Sequence, residues 1–136
     1  MTVVLDCNIL VMCLTSKSPY HIIYQLLVNN RFNIVVTVDI MLEYEEIIQR
    51  KYNVTTANAL IALLHELPNV DYVQPYYKWQ LITADEDDNK YCDCAIAGQA
   101  EYIVTEDGHF NLLKNTPFPS LTTIGIDQFL KLLQAG

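Results

Sequence analysis

Asp6, Asp93 and Asp107 stand in settings that a water-exposed acid does not need. Asp6 ends the apolar run Val3-Val4-Leu5, and Asp107 follows Tyr102-Ile103-Val104-Thr105-Glu106. In an open α/β sheet, ligands bind outside the carboxyl ends of strands, at a topological switch point. Two acids at such ends face one crevice if their strands are neighbours. Each alone also reads as a turn or helix-capping aspartate; the pair is harder to explain that way. Asp93 lies in Tyr91-Cys92-Asp93-Cys94-Ala95-Ile96-Ala97, where apolar or small side chains occupy most of a helix circumference. A carboxylate there is costly unless a cation or hydrogen bonds offset it. The alternative is a carboxylate that caps local backbone. A fourth acid comes from Leu42-Glu43-Tyr44-Glu45-Glu46-Ile47-Ile48. At about 100° per residue, the stripe Ile40/Met41/Tyr44/Ile47/Ile48 centres near Tyr44. Glu43 and Glu45 flank it on opposite sides, Glu46 points to solvent near Arg50 and Lys51, and periodicity leaves Glu43 or Glu45 open.

Four acids at one crevice form a hard, all-oxygen site suited to Mg²⁺ or Mn²⁺. Without metal they repel one another and their pKa values rise. With two cations about 3.5–4 Å apart, such a site can activate a water and stabilise the leaving oxygen in phosphodiester cleavage.

The elements that must position these acids are short apolar strands alternating with helical patterns. Val3–Leu5, Ile34–Val38, Tyr102–Val104 and Thr122–Ile124 are apolar on nearly consecutive residues, as in strands buried on both faces. Val70–Val73 is a further, weaker strand. Ile22, Ile23, Leu26 and Leu27 follow Pro19 at helical spacing. The Ile40–Ile48 stripe, the Leu60–Leu67 stripe ended by Pro68, the segment from Asp88 to Ala100 and the terminal Asp127–Leu133 complete the helices. Gln74–Asp88, polar and aromatic, reads as loop or partly extended. Alternating strands and helices imply βαβ units and a parallel sheet covered on both faces. We therefore expect one α/β domain over the 136 residues.

Eight Lys/Arg against sixteen Asp/Glu give a net charge of −8, with a pI near 4.6. That balance argues against a nucleic-acid binder, because phosphates are usually met by basic residues. Loaded metals reverse the local field and answer part of the objection. Arg31, Arg50, Lys51, Lys78, Lys90 and Lys114 remain for phosphate contacts, with Lys17 near the mouth. Weak, salt-sensitive RNA binding or a short footprint follows.

Other classes lack their signatures. There is no GxGxxG, no GxxxxGK[ST] and no GxSxG, and His21, His65 and His109 sit in unrelated contexts. Cys7, Cys13, Cys92 and Cys94 lack zinc spacing and read as buried free thiols. A haloacid-dehalogenase-type phosphotransferase using Asp6 as nucleophile needs an acid where Asn8 stands. A receiver-like domain needs a mid-chain phosphoacceptor that is not found. No apolar run approaches the ~20 residues of a membrane span, and no signal peptide is evident, so the expectation is a cytoplasmic protein with no membrane contact.

The N-terminal Leu-Asp-Cys-Asn, the helix segment Leu-Glu-Tyr-Glu-Glu-Ile-Ile, the stretch Asp-Glu-Asp-Asp-Asn-Lys-Tyr-Cys-Asp-Cys-Ala-Ile-Ala and Ala-Glu-Tyr-Ile-Val-Thr-Glu-Asp-Gly-His-Phe occur in an order that resembles the PIN-domain family. The likeness is to bacterial VapC-like and toxin-component members, and it covers essentially the whole chain. It implies that Asp6, Glu43, Asp93 and Asp107 bind Mg²⁺ or Mn²⁺, thereby choosing Glu43 over Glu45. Asn8 and Thr105 match accessory polar positions. Asp88 matches a further acid of an Asp-x-Asp-Asp-Asn subgroup, with Asp87 a near substitute. The resemblance further implies a three-layer α/β/α sandwich with a mostly parallel, about five-stranded sheet, endoribonuclease activity, frequent homodimers and an antitoxin partner. The chain carries fewer basic residues than RNA-cleaving members often do. A non-catalytic PIN-like module that binds RNA or protein is the alternative, against which the complete acid set speaks.

Overall fold

The computed structural model describes residues 1–82, 88–115 and 119–136. Strands β1 (Thr2–Leu5), β2 (Asn33–Val36), β3 (Val70–Tyr72), β4 (Tyr102–Val104) and β5 (Thr123–Ile124) form a five-stranded sheet in the order β3-β2-β1-β4-β5. Every pairing is parallel, with Val3 opposite Ile34 on one side and opposite Tyr102 on the other. Parallel neighbours need crossovers, and these are supplied by α1 (Cys7–Leu14), α2 (His21–Val28), α3 (Val38–Lys51), α4 (Val54–Glu66) and α5 (Asn89–Ala97), while α6 (Ile126–Ala135) closes the chain. Val3, Val4, Ile34, Val36, Ile103 and Val104 are fully buried, which is why these strands read as continuous apolar runs rather than alternating ones. The expected α/β sandwich is the observed fold.

The differences from expectation have local causes. The second strand stops at Val36 instead of reaching Val38, because the Thr37 hydroxyl accepts the Ile40 N–H at 3.1 Å and caps α3. Asp88, already in helical backbone, is the N-cap of α5, which runs from Asn89 to Ala97, and Gly98 ends it packed so closely on Val35 that a Cβ there would lie 2.8 Å from the Val35 side chain. Helix α1 was not expected. Its sequence CNILVMCL is apolar nearly all round, with Cys7, Ile9, Leu10, Val11 and Cys13 buried, so no stripe distinguishes it from a strand. A 3-10 helical stretch, Gly108–Asn115, follows β4 and was not expected either. The part of the Gln74–Asp88 loop at residues 83–87, including Asp87, lies outside the described residues. Among the described residues, no helix is long and apolar enough to cross a membrane.

The strand order places the switch point between β1 and β4. The chain leaves β1 towards β2 and β3, then returns across the sheet to β4. The carboxyl ends of those two strands are where Asp6 and Thr105-Glu106-Asp107 emerge.

Candidate functional site

Asp6 leaves β1 with its N–H donating to the Val104 carbonyl at 3.1 Å, while its own carbonyl accepts the Ile9 and Leu10 amides at 3.0 and 3.2 Å. The residue is thus fixed at once as the first residue past β1, still bonded to β4, and as the N-cap of α1. Its carboxylate is almost wholly buried, with 5% of the residue exposed. Across the switch point, the Thr105 hydroxyl donates to Asp6 Oδ2 at 2.8 Å and accepts the Asp107 N–H at 3.0 Å. Thr105 is itself held to β5 through its amide on the Ile124 carbonyl. One hydroxyl therefore links the Asp6 carboxylate to the Asp107 backbone amide. Asn8 is exposed, and its backbone amide favours the charged form of Asp6.

Glu43 comes in from α3. Buried Tyr44 anchors that helix to the strand end by donating its hydroxyl to the Leu5 carbonyl at 2.5 Å. This sets the phase that brings Glu43 to Asp6. Glu45 meets Gln49 at 3.5 Å and Glu46 pairs with Arg50 at 2.5 Å, both on the far side of the stripe. One Glu43 oxygen accepts the Tyr91 hydroxyl, and the other receives the Lys90 ammonium at 2.6 Å. Tyr91 in turn accepts the Cys7 N–H at 3.3 Å. Lys90 and Tyr91, the first turn of α5, thus meet the acid that α3 delivers.

Among the described residues, acids come together in two groups. Ligand atoms of Asp6, Cys7 and Glu43 lie within 4.8 Å of one another, and so do those of Asp88, Asp107 and His109. His109 was missed in the sequence because nothing there links it to the acids. Its N–H donates to Asp107 Oδ1 at 2.9 Å, and its Nδ1 lies 3.4 Å from both Asp107 Oδ1 and Asp88 Oδ2. Asp93 belongs to neither group. Although 8% of the residue is exposed, its Oδ1 accepts the Trp79 N–H at 3.1 Å, the backbone-capping role that the sequence left as an alternative. It also lines cavities of about 470 and about 230 Å³, the second shared with Lys78 and Lys90.

The protonation energetics differ between these acids. Desolvation raises the Asp6 pKa, against the Thr105 hydroxyl, Cys7 and the Asn8 amide, with Glu43 adding repulsion. Desolvation likewise raises Asp93, opposed by the Trp79 amide and Lys78. For Glu43, desolvation raises the pKa but the Lys90 and Tyr91 bonds outweigh it, so the net shift is downward. Burial pushes the Cys7 thiol up to about 12, leaving it neutral and a poor ligand for a hard cation. Cys13, Cys92 and Cys94 are likewise buried, free and pushed up to about 12.

The donors nevertheless suit a hard divalent ion: a buried and a half-buried carboxylate in one group, two more with an imidazole in the other. The single ammonium on Glu43 shows that this place takes positive charge. The PIN-domain family model matches residues 2–109. The chain belongs to the PIN-domain family. The matched span of this PIN domain runs from β1 through His109 and so includes every acid discussed above. Solved structures share its fold at low identity. VapBC2 from Rickettsia felis, bound to a DNA fragment from its promoter, is 17% identical with a TM-score of 0.62, covering 92% of this chain and 98% of that one. VapBC-1 from nontypeable Haemophilus influenzae is 17% identical with a TM-score of 0.61, covering 93% and 99%. The PIN domain of T. brucei RRP44 is 17% identical with a TM-score of 0.53, covering 98% and 81%. No curated protein sequence matches the chain.

Proposed function

We propose that this PIN domain is a divalent-cation-dependent endoribonuclease that hydrolyses single-stranded RNA. The observation that carries the reading is the Thr105 bridge between Asp6 and Asp107 at the switch point, with Glu43 delivered to the same place. Asp6 and Glu43 would hold one Mg²⁺ or Mn²⁺, and Asp107 and Asp88 with His109 offer a second set of donors. When bound, the cation supplies activation of an attacking water and neutralises charge at the phosphodiester. The chain's own residues do the rest. Thr105 fixes the Asp6 carboxylate, Tyr91 orients Glu43, and Asp93 on α5 adds a carboxylate to the cavity that Lys90 also lines. No covalent enzyme intermediate is required.

We further infer, from family membership and from the VapBC neighbours, that the chain is the toxin of a toxin–antitoxin pair, acting in the cytoplasm, with an antitoxin that covers the site and a homodimer as the working form. Metal-dependent cleavage of single-stranded RNA that stops on adding a chelator tests the catalytic reading; cleavage that survives the chelator overturns it. One observation favours the alternative of a non-catalytic RNA- or protein-binding module: Lys90 already satisfies Glu43. Lys90→Gln decides how that pair acts. If the ammonium competes with the cation, Mn²⁺ binding measured by calorimetry should tighten by up to about fivefold, the worth of a partly exposed ion pair. Weaker binding would mean instead that Lys90 positions Glu43.

A further inference from the structure

An acidic PIN domain that cleaves RNA needs to hold it by something other than bulk positive charge, and the segment before α5 is unusual in that respect. Tyr76 is 94% exposed and Tyr77 64% exposed, so two neighbouring aromatic rings stand open to solvent. The Tyr77 and Trp79 rings meet at 4.6 Å between centroids, tilted by 60°. Together with Tyr76 and Ile96 they line the cavity of about 470 Å³ whose wall includes Asp93.

This shelf is fastened to the site rather than hanging from it. The Trp79 N–H is held by Asp93, and Asn89 clamps Ile82 from both sides, accepting its N–H at 2.8 Å and donating to its carbonyl at 2.9 Å. Both clamps sit on or beside the first turns of α5, the helix that also presents Lys90 and Tyr91 to Glu43. Lys78, exposed between the aromatic residues, lines the adjoining cavity of about 230 Å³, whose wall also carries Lys90, Asp39 and Asp93. The chain has eight basic residues, and two of them line this one cavity beside the aromatic shelf.

We propose that Tyr76, Tyr77 and Trp79 form a stacking platform for unpaired bases of single-stranded RNA, with Lys78 and Lys90 meeting the phosphate that enters the acid site. The inference rests on the reading of the chain as an RNA-directed protein. Aromatic stacking is tolerant of sequence and compensates for sparse basic surface, because every base offers a π face. Duplex RNA, whose bases are already stacked, cannot use such a shelf. A purely apolar partner would leave the exposed Lys78 between the rings unused, whereas a strand stacked on them carries phosphates within its reach, which favours nucleic acid.

Trp79 is the only tryptophan, so its fluorescence reports on the shelf alone. The test titrates single-stranded RNA of about a dozen nucleotides into the Asp6→Asn protein with Mg²⁺ present, a background that has lost one repelling carboxylate and, on the proposed reading, cleavage. Equal-length duplex and abasic oligomers serve as controls. Quenching by the single strand, absent with both controls and shifted to roughly tenfold or more weaker affinity in Tyr76→Ala and Tyr77→Ala, is the expected result. Both tyrosines are exposed, so these variants keep the fold. Equal binding of the abasic oligomer, or affinity unchanged in both variants, overturns the platform. Quenching that instead follows protein concentration without RNA also overturns it and assigns the shelf to a second copy. Cleavage by wild type is measured separately: quenching without cleavage sinks the enzyme and leaves the platform, and cleavage without quenching does the reverse.

Discussion

Replacing Asp6 with Asn is expected to lower Mn²⁺-dependent cleavage of single-stranded RNA by at least about 100-fold while the protein stays folded. The substitution keeps the shape and one acceptor oxygen, so the Thr105 hydroxyl retains a partner and the coupling to Asp107 survives. What is lost is the negative charge opposite Glu43, and with it the anionic pair that would hold a cation. Stability should move the other way. Burial raises the Asp6 pKa, so the folded protein binds that proton more tightly than the unfolded chain does. Ionised Asp6 therefore costs stability, and the metal-free wild type loses that contribution as pH rises from the usual carboxylate value of 3.8 through the raised one. Metal-free Asp6→Asn should melt at a higher temperature than wild type at neutral pH and lack that part of the pH dependence. Wild-type cleavage by Asp6→Asn, or a melting temperature that falls with no metal present, would contradict the assignment of Asp6.

The strands and their parallel pairing were legible because burial on both faces writes itself as consecutive apolar residues, at Val3-Val4-Leu5 as much as at Ile103-Val104. The same signal hides α1, whose apolar circumference has no period to read. The positions of Asp6 and Asp107 could be inferred from strand ends alone, since the switch point is a property of connectivity. Glu43 could not, because its phase is set by the Tyr44 hydroxyl on the Leu5 carbonyl, a bond between residues 39 apart. Nor could the splitting of the acids into two groups, which depends on where individual side chains turn. Lys90 and Tyr91 carry no sequence mark as partners of Glu43; only the docking of α5 beside α3 makes them so. The aromatic segment was visible as composition, and its clamps at Trp79 and Ile82 were not.

Asp93 carries the second large effect, and here two substitutions separate two roles. In the structure its Oδ1 holds the Trp79 amide, and an asparagine can accept that same N–H. Asp93→Asn therefore preserves the clamp and removes only the charge. If Asp93 joins the cation-holding set, this variant loses at least about 100-fold in cleavage and binds Mn²⁺ more weakly, with the Trp79 emission spectrum unchanged. Its raised pKa fits that role, because desolvation leaves the carboxylate short of compensating charge that a divalent cation would supply. Asp93→Ala should lose cleavage as well and shift the Trp79 emission, since the amide at 3.1 Å then has no acceptor there. Full activity in Asp93→Asn alongside loss in Asp93→Ala would restrict Asp93 to anchoring the Trp79 segment. The catalytic charge would then rest on Asp6, Glu43 and the Asp88–Asp107 pair, and the apolar setting of Asp93 would be explained by the clamp.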